Sequence, residues 1–517
     1  MATDKPIERN LSHAFRIFRH PRVITMLFFG FSAGVPLLLI FSSLSLWLRE
    51  AGADLSTVTF FSWAALAYSF KFVWAPLVDR MPLPVLTRLL GRRRSWILLA
   101  QLCMMLAICW MALTDPAMGS GSLTIMALAA VLLGFSSATQ DIVIDAYRIE
   151  SAGNELQAMM SSFYIAGYRI GMIVAGAGAL FLANYFGSDQ QEYNYTAWRS
   201  TYLVMALTLS VGVTTTLIID EPENSRLSSY LYNVSDYIRL LLLFFVGIGG
   251  FISVFFLAPL VFENWNSSFT ELSNPVFGLL VEAGRLFVAA LSALMIVFIS
   301  VRAGLVDRGM LSECYWAPLT DFFRRYGLKL SILLVALIGF YRISDIVLGV
   351  IANVFYQDLG FTKTEIATVV KTFGLVMTIL GGFVGGILST RFGVMRILFL
   401  GALLTVLTNL LFLYQAAAGH DLVALYFVIS ADNLTAGLAG AAFVAFLSSL
   451  TSVSFTAVQY ALFSSLMTLI PKVLGGYSGT MVEAIGYSNF FLVASLMGLP
   501  VLVLVWFVDK QFARSNS

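Results

Sequence analysis

Charged side chains inside otherwise apolar stretches are the residues of this chain most suited to chemistry. Five bases have this placement: Lys71, Arg169, Arg285, Arg342 and Lys371. Six acids accompany them: Asp141, Asp145, Glu282, Asp345, Asp432 and Glu483. A charge at the centre of a bilayer costs roughly 2.5–3.5 kcal/mol on insertion scales, so such residues normally face a bundle interior or a wet cavity. The pattern therefore favours the binding of ions and the movement of protons.

Arg169 is a candidate anchor for an anion. It lies roughly 16 Å into a predicted helix, near the middle of a hydrocarbon core about 30 Å thick. A guanidinium can hold a carboxylate through two hydrogen bonds, and Tyr164 and Tyr168 offer hydroxyls or ring faces to a sugar. The alternative is an internal salt bridge between Arg169 and Asp141.

A cluster of three charges is predicted further along the chain. Arg342 and Asp345 are three residues apart and share a helix face, while Lys371 lies at an overlapping depth in the next helix. Protonation of Asp345 would make these groups exchange partners, which is one way to couple a proton to a conformational change. The alternative is a static ion network that stabilises this part of the chain.

Two polar pairs occupy corresponding places in two predicted helices. Gln140 and Asp141 form one pair, and Asp432 and Asn433 form the other. Burial favours protonation of a carboxylate, so Asp432 is the first candidate for the proton carrier and Asp345 the second. Gln140, Asp141 and Asn433 are candidates for substrate binding, with proton binding as a second possibility for the first two.

Asp145 is predicted to act in gating. It lies one helical turn beyond Asp141, and Arg148 is close enough in the same helix to neutralise it. We expect Asp145 to form a latch with Arg80 or with the bases of 92–94, and Asp79 belongs to the same loop as Arg80. A substrate-binding role for Asp145 is the alternative.

The elements that position these residues must be membrane helices. The 517-residue chain is 59% hydrophobic and 12% charged, whereas ordinary soluble proteins carry about 25% charged residues. Apolar stretches of helical length predict fourteen membrane spans: 23–48, 57–78, 95–114, 122–147, 158–184, 198–219, 238–262, 276–302, 329–352, 364–389, 394–417, 422–448, 453–471 and 483–508. Placing the N-terminus in the cytoplasm leaves only four bases outside, namely Arg49, Arg199, Lys363 and Lys472. Both termini are then cytoplasmic.

A weak internal repeat divides the spans into two groups of six. WLREAGADLSTV, from Trp47, corresponds to FYQDLGFTKTEI, from Phe355. Parallel halves of this kind form the plan of the major facilitator superfamily, with an extra two-helix hairpin inserted between them. The predicted organisation is a cytoplasmic segment 1–22, a first half 23–219, a linker 220–328 with the hairpin 238–302, a second half 329–508 and a cytoplasmic tail 509–517.

From Arg16 onward the chain resembles the AmpG-type muropeptide permeases of this superfamily, a branch related to acetyl-CoA transporters. The resembling segments include GFSAGVPLLL, YSFKFVWAPLVDR, GRRRSW, SSATQDIVIDAYR, FYRISD, SADNLTAGLAGAAFVAF and AVQYALFSSL. This chain departs from the superfamily's usual pattern in the longer path from Asp79 to Arg92 and in segment 449–452, which carries no base.

The resemblance implies a permease of the bacterial inner membrane that imports N-acetylglucosaminyl-1,6-anhydro-N-acetylmuramyl peptides with protons, in cell-wall recycling and β-lactamase induction. Another bulky anion, such as acetyl-CoA, is the alternative substrate. We expect a functional monomer whose partners are the substrate, protons and membrane lipid, without nucleic acid, metal or cofactor. The histidines His13, His20 and His420 and the three cysteines have no catalytic or metal-binding spacing, so an enzyme is not expected.

Overall fold

The computed structural model describes residues 18–53, 61, 68, 70–188, 193–222, 234–266, 275–362, 365–475 and 478–515. Within these residues, twelve helices are long and apolar enough to cross a membrane, and each coincides with one of the fourteen predicted spans. The predicted span 276–302 is also helical, with a shorter described apolar stretch, Phe287–Arg302. Half of the predicted span 57–78 lies outside the described residues. The predicted all-α polytopic class is confirmed.

Ten helices of the described residues precede the inserted hairpin, and four of them follow a short π-helical or 3-10 segment. They are α1 (Pro21–Leu38), α2 (Leu44–Glu50), α3 (Ala75–Arg80), α4 (Leu86–Leu90), α5 (Arg92–Ala112), α6 (Ser120–Ser151), α7 (Asn154–Ile173), α8 (Ala179–Tyr185), α9 (Tyr195–Thr208) and α10 (Ser210–Ile218). Single π-helical segments, Leu39–Ser43 and Val174–Gly178, join α1 to α2 and α7 to α8. Short 3-10 segments lie at Lys71–Val73 and Pro116–Met118.

The remaining helices comprise the hairpin and the second set of spans. They are α11 (Val234–Asn266), α12 (Pro275–Arg302), α13 (Arg308–Leu311), α14 (Ala317–Phe340), α15 (Ile343–Asp358), α16 (Gly374–Phe392), α17 (Val394–Ala418), α18 (Leu422–Leu450), α19 (Thr456–Gly475), α20 (Ser478–Leu496) and α21 (Leu499–Ser515). π-Helical segments lie at Ser312–Trp316 and Ile366–Phe373, and a 3-10 segment lies at Val453–Phe455.

The membrane span predicted at 329–352 is present, but a turn interrupts its helix. The chain leaves the helix at Tyr341 and Arg342, between α14 and α15. The Tyr341 hydroxyl donates to the carbonyl oxygen of Leu398 at 3.0 Å, and its ring stacks on Phe443 with centroids 4.3 Å apart. These contacts with other helices fix the break, so tertiary packing overrides the local helical preference here.

Contacts divide the described residues into two compact units. The smaller unit comprises 76–82 and 229–321 and contains the predicted hairpin, in which a Cβ atom at Gly250 would lie 2.1 Å from Ile296 Cδ1. The larger unit comprises the described residues of 1–75, 83–228 and 322–517. Within the larger unit we call the helices of Pro21–Ile218 the first half and those after residue 327 the second half.

Each half has its own aromatic core. In the first half the rings of Trp47 and Trp198 are stacked, with centroids 5.7 Å apart and planes 3° from parallel. In the second half Phe355 contacts Phe491 edge to face, at 4.7 Å, and Phe412 lies beside both. These apolar clusters are buried, so each half is packed as a body in its own right.

Helices α1 and α7 touch along their backbones because both carry glycines one turn apart. A Cβ atom at Gly34 would lie 2.0 Å from the carbonyl oxygen of Tyr168, and one at Gly30 would lie 2.1 Å from that of Tyr164. From the other side, a Cβ atom at Gly167 would lie 1.9 Å from the carbonyl oxygen of Leu27. Small residues of this kind allow close helix packing in membranes.

We predict that Gly34→Ala destabilises the protein, because the new methyl group collides with backbone that cannot move without separating the two helices. Overpacking at a rigid contact costs about 3 kcal/mol. The measurement is the thermal unfolding midpoint of purified protein in detergent. The matched control is Gly440→Ala in α18, where an added Cβ meets nothing within 4 Å. Equal midpoints for the two variants would contradict the contact.

Candidate functional site

Arg169 in α7 is half-buried and makes no ion pair with any described residue. Its guanidinium Nη1 atom lies 3.9 Å from the sulfur of Met172. The salt bridge to Asp141 that the sequence allowed is not formed, and Asp141 accepts a hydrogen bond from the Tyr164 hydroxyl at 3.2 Å. Arg169 therefore keeps a cation available inside the bundle.

Arg342 and Asp345 form an ion pair of 2.6 Å at the break between α14 and α15. The side chains are partly exposed, at 33% and 28%. The charges of both groups reach Arg169 from the opposite half of the larger unit. Arg169, Arg342 and Asp345 therefore interact electrostatically across the two halves.

Asp432 and Asn433 lie on α18, in the second half. Asn433 accepts a hydrogen bond from the Thr378 hydroxyl at 2.9 Å and donates to the carbonyl oxygen of Ile429 at 3.1 Å. Asp432 has no hydrogen bond or ion pair with a described residue, although the charge of Asp345 reaches it. The amide of this pair is therefore held by its neighbours, whereas the acid has no such partner among the described residues.

Lys371 does not join the predicted three-charge cluster in this conformation. It lies in the π-helical segment Ile366–Phe373, its side chain is exposed, and it makes no ion pair with a described residue. What the structure brings together is the pair of Arg342 and Asp345. A role for Lys371 in proton coupling stays a prediction.

In the first half, α6 and α7 carry the other predicted binding residues. Gln140 is completely buried and accepts a hydrogen bond from the Ser32 hydroxyl at 3.0 Å, so it points into the first half. The rings of Tyr164 and Tyr168 have centroids 6.2 Å apart, and the charge of Arg169 reaches Tyr168. Tyr164 and Tyr168 therefore share one face of α7, with Asp141 held against Tyr164, and Arg169 is the next residue of this helix.

Asp145 lies between two bases of its own half. Lys71 Nζ is 3.9 Å from one carboxylate oxygen, and Arg148 Nη2 is 3.2 Å from the other. Arg148 is completely buried and also donates to Gln157, Ser161 and Ser448. The predicted gating residues Asp79 and Arg80 belong to α3 in the smaller unit. The gating role of these three residues stays a prediction.

Sequence reasoning missed the acid that binds the basic segment 92–94. Arg93 Nε and Nη2 bind the Glu150 carboxylate at 3.0 and 2.5 Å, and both side chains are almost completely buried. Glu150 is the penultimate residue of α6, where a charged residue usually marks a solvated helix end. Its spacing from Arg148 gave no signal that it turns inward. Thr456, which also binds Arg93, is 306 residues beyond Glu150, and pattern analysis does not reach that far.

Comparisons with known proteins agree with this architecture. The sequence pattern of the Major Facilitator Superfamily matches residues 81–356 and 333–517. The anhydromuropeptide permease of Escherichia coli K12 is 30% identical over 508 residues, covering 98% of this chain and 84% of that protein. The protein named AmpG 4 in Rickettsia conorii is 29% identical over 496 residues, covering 96% of this chain and 98% of that protein.

Solved structures show the same fold at low identity. The proton:xylose symporter XylE of E. coli superposes with a TM-score of 0.59 at 12% identity, covering 96% of this chain and 95% of that one. The fucose:proton symporter FucP of E. coli gives 0.56 at 11% identity, covering 94% and 97%. The chain therefore belongs to the major facilitator superfamily and, within it, to the AmpG-type permeases, which are multi-pass membrane transporters and not enzymes.

Proposed function

We propose that this transporter imports anhydromuropeptides, the N-acetylglucosaminyl-1,6-anhydro-N-acetylmuramyl peptides, across the bacterial inner membrane together with protons. Similarity over 98% of the chain to a protein named anhydromuropeptide permease supports this substrate class. The observation that carries the proposal is Arg169, a guanidinium that makes no ion pair with a described residue and interacts electrostatically with Arg342 and Asp345 of the other half.

The charges between the halves suit an anionic ligand. A cation held away from water without a partner is unfavourable, so Arg169 gains most from a ligand that brings a carboxylate. The peptide part of a muropeptide carries such groups. The sugar part is uncharged and has apolar faces, which suits the rings of Tyr164 and Tyr168 on the same helix. The substrate would then lie between the halves, with its peptide towards Arg169 and Arg342.

Proton coupling follows from the charges around Asp432. When a substrate carboxylate enters a site that already holds Asp345 and Asp432, protonation of one acid removes a repulsion. Asp432 is the acid without a hydrogen-bond or ion-pair partner among the described residues, whereas Asp345 is bound to Arg342 at 2.6 Å. We therefore infer that Asp432 takes the proton first and that Asp345 responds to it, while Lys371 would join them in another conformation.

The proposal also specifies which side of the membrane each end of the protein faces. Bases concentrate on the side of the termini, so both termini lie in the cytoplasm. The end of the larger unit where Arg93, Glu150 and Thr456 meet then faces the cytoplasm, and the halves are closed there. Alternating access would open this end and close the other. Gln140, Asp141 and Asn433 remain proposed binding residues, the first of them reachable after a rearrangement of α6.

The test is uptake of radiolabelled GlcNAc-anhydroMurNAc-tripeptide into vesicles that contain the protein, with an imposed inward proton gradient and with excess acetyl-CoA as competitor. We expect uptake that depends on the gradient, that an uncoupler abolishes and that acetyl-CoA leaves unchanged. Inhibition by acetyl-CoA would favour the alternative substrate class. Lack of uptake by folded protein would refute the muropeptide assignment.

We predict that Arg169→Ala lowers this uptake by at least tenfold, because each charge-assisted hydrogen bond to a carboxylate contributes about 1.5–3 kcal/mol. Arg169→Lys should give an intermediate value, since it keeps the charge and loses the two-point geometry. The control is Arg396→Ala, which removes an exposed arginine of the second half. Uptake by Arg169→Ala at the level of the control would contradict the role of Arg169.

We also predict that Asp432→Asn abolishes accumulation driven by the proton gradient and preserves exchange of substrate across the membrane. The amide cannot release a proton, but it keeps the shape of the site. Counterflow of labelled substrate measures exchange without a gradient, and Asp509→Asn, an exposed position in α21, is the control. Accumulation by Asp432→Asn equal to that of the control would exclude Asp432, and Asp345→Asn would then be the next variant.

A further inference from the structure

The two halves of the larger unit meet at the end where α5 begins, α6 ends and α19 begins. Arg93 Nη2 donates a hydrogen bond of 2.9 Å to the hydroxyl of Thr456, the first residue of α19. The same hydroxyl donates to the Glu150 carboxylate. Thr456 is completely buried, so water does not compete for these bonds in this conformation. One hydroxyl of the second half thus bridges both members of an ion pair in the first.

A second contact of the same kind lies close by in sequence. Arg148 Nη1 donates to the hydroxyl of Ser448, near the end of α18, at 2.6 Å. The guanidinium of Arg148 also lies 5.2 Å from the ring centroid of Tyr460 in α19. Among the described residues, the contacts of Arg148 and Glu150 with the second half are made to these two hydroxyls and this ring.

The charges in these contacts are paired within the first half. Glu150 binds Arg93, and Asp145 binds Arg148 at 3.2 Å. Separation of the halves would therefore leave both ion pairs intact while it breaks the bonds to the two hydroxyls and the contact of Arg148 with the Tyr460 ring. A salt bridge between the halves would behave differently, because its separation leaves a buried charge without its partner.

We propose that Thr456 and Ser448 form a hydroxyl latch that sets the balance between the closed and open states at this end of the transporter. Thr456 and Ser448 are positioning residues for transport, because their hydroxyls bind side chains of the first half and not the substrate. Water replaces a hydroxyl as a hydrogen-bond partner of an ion pair at little cost, so the latch holds the closed state and still opens rapidly. The role of the latch in import rests on the function proposed above. The latch itself is a contact between the two halves and does not depend on which substrate is carried.

The test compares Thr456→Val with Thr456→Ser. Valine keeps the shape of the side chain and removes the hydroxyl, whereas serine restores it. The matched control is Thr451→Val, which removes a buried hydroxyl at the same end that bonds only to the carbonyl oxygen of Leu447 in its own helix. Ser448→Ala is the second latch variant.

The readout is the distance between spin labels on Gly153→Cys and Val453→Cys, one in each half, in protein whose three native cysteines are replaced by alanine. Pulsed electron resonance gives the populations of short and long distances. Thr456→Val removes a hydroxyl that is hydrogen-bonded to two charged groups, so we expect the ratio of open to closed molecules to rise by at least about tenfold. Ser448→Ala should shift it in the same direction, while Thr456→Ser and Thr451→Val should match the parent.

A distance distribution of Thr456→Val equal to that of Thr451→Val would overturn the latch, and so would a shift that Thr456→Ser fails to reverse. The measurement needs no substrate, so it decides on the latch even if the parent protein does not transport anhydromuropeptide. Conversely, uptake by the parent together with unchanged distances in both latch variants would refute the latch and leave the proposed transport standing.

Discussion

The site depends on the close approach of α1 and α7. Their glycines let the two backbones touch, and this fixes the height and rotation of the segment that carries Tyr164, Tyr168 and Arg169. The second half uses the same device between α16 and α18, where a Cβ atom at Gly381 would lie 2.0 Å from the carbonyl oxygen of Leu434. Rigid helix pairs of this kind hold a few polar groups in place inside an apolar bundle.

A glycine also allows close packing between helices of opposite halves. A Cβ atom at Gly386 in α16 would lie 2.2 Å from the hydroxyl of Ser162 in α7, so a glycine also makes room where the halves meet. The rings of Phe163 in α7 and Phe383 in α16 pack edge to face at the same contact, with centroids 5.3 Å apart. The hydrogen bonds from Arg93 and Arg148 to the second half lie at the end of α6 and add directional bonds to this closure.

Pairing separates the charges that maintain the fold from those that are available to a ligand. Arg148 and Glu150 are buried, and each is bound by groups of opposite charge. Arg169 and Asp432 lack such partners among the described residues, although they lie in membrane helices, where an unpaired charge is costly. A transporter needs charges of this second kind, because a ligand or a proton must supply the missing interaction.

Much of this arrangement could be predicted from the sequence, because membrane helices follow from apolar length and the proximity of Arg342 and Asp345 follows from their spacing. The break at Tyr341 could not, since it depends on Phe443 and Leu398, far along the chain. The sequence left Arg169 with two alternatives, and only the structure shows that its guanidinium lies beside the Met172 sulfur and makes no ion pair with Asp141. Contacts such as that of Glu150 with Thr456 could not be predicted either, because they depend on how the two halves pack against each other.

A structure of the protein with bound GlcNAc-anhydroMurNAc-tripeptide tests the central claim most directly, which is that the substrate lies between the halves with a carboxylate on Arg169. The account predicts density for the ligand beside Tyr164 and Tyr168 and a carboxylate oxygen about 3 Å from the Arg169 guanidinium. A ligand bound elsewhere, or one between the halves with Arg169 turned onto Asp345 instead, would contradict it.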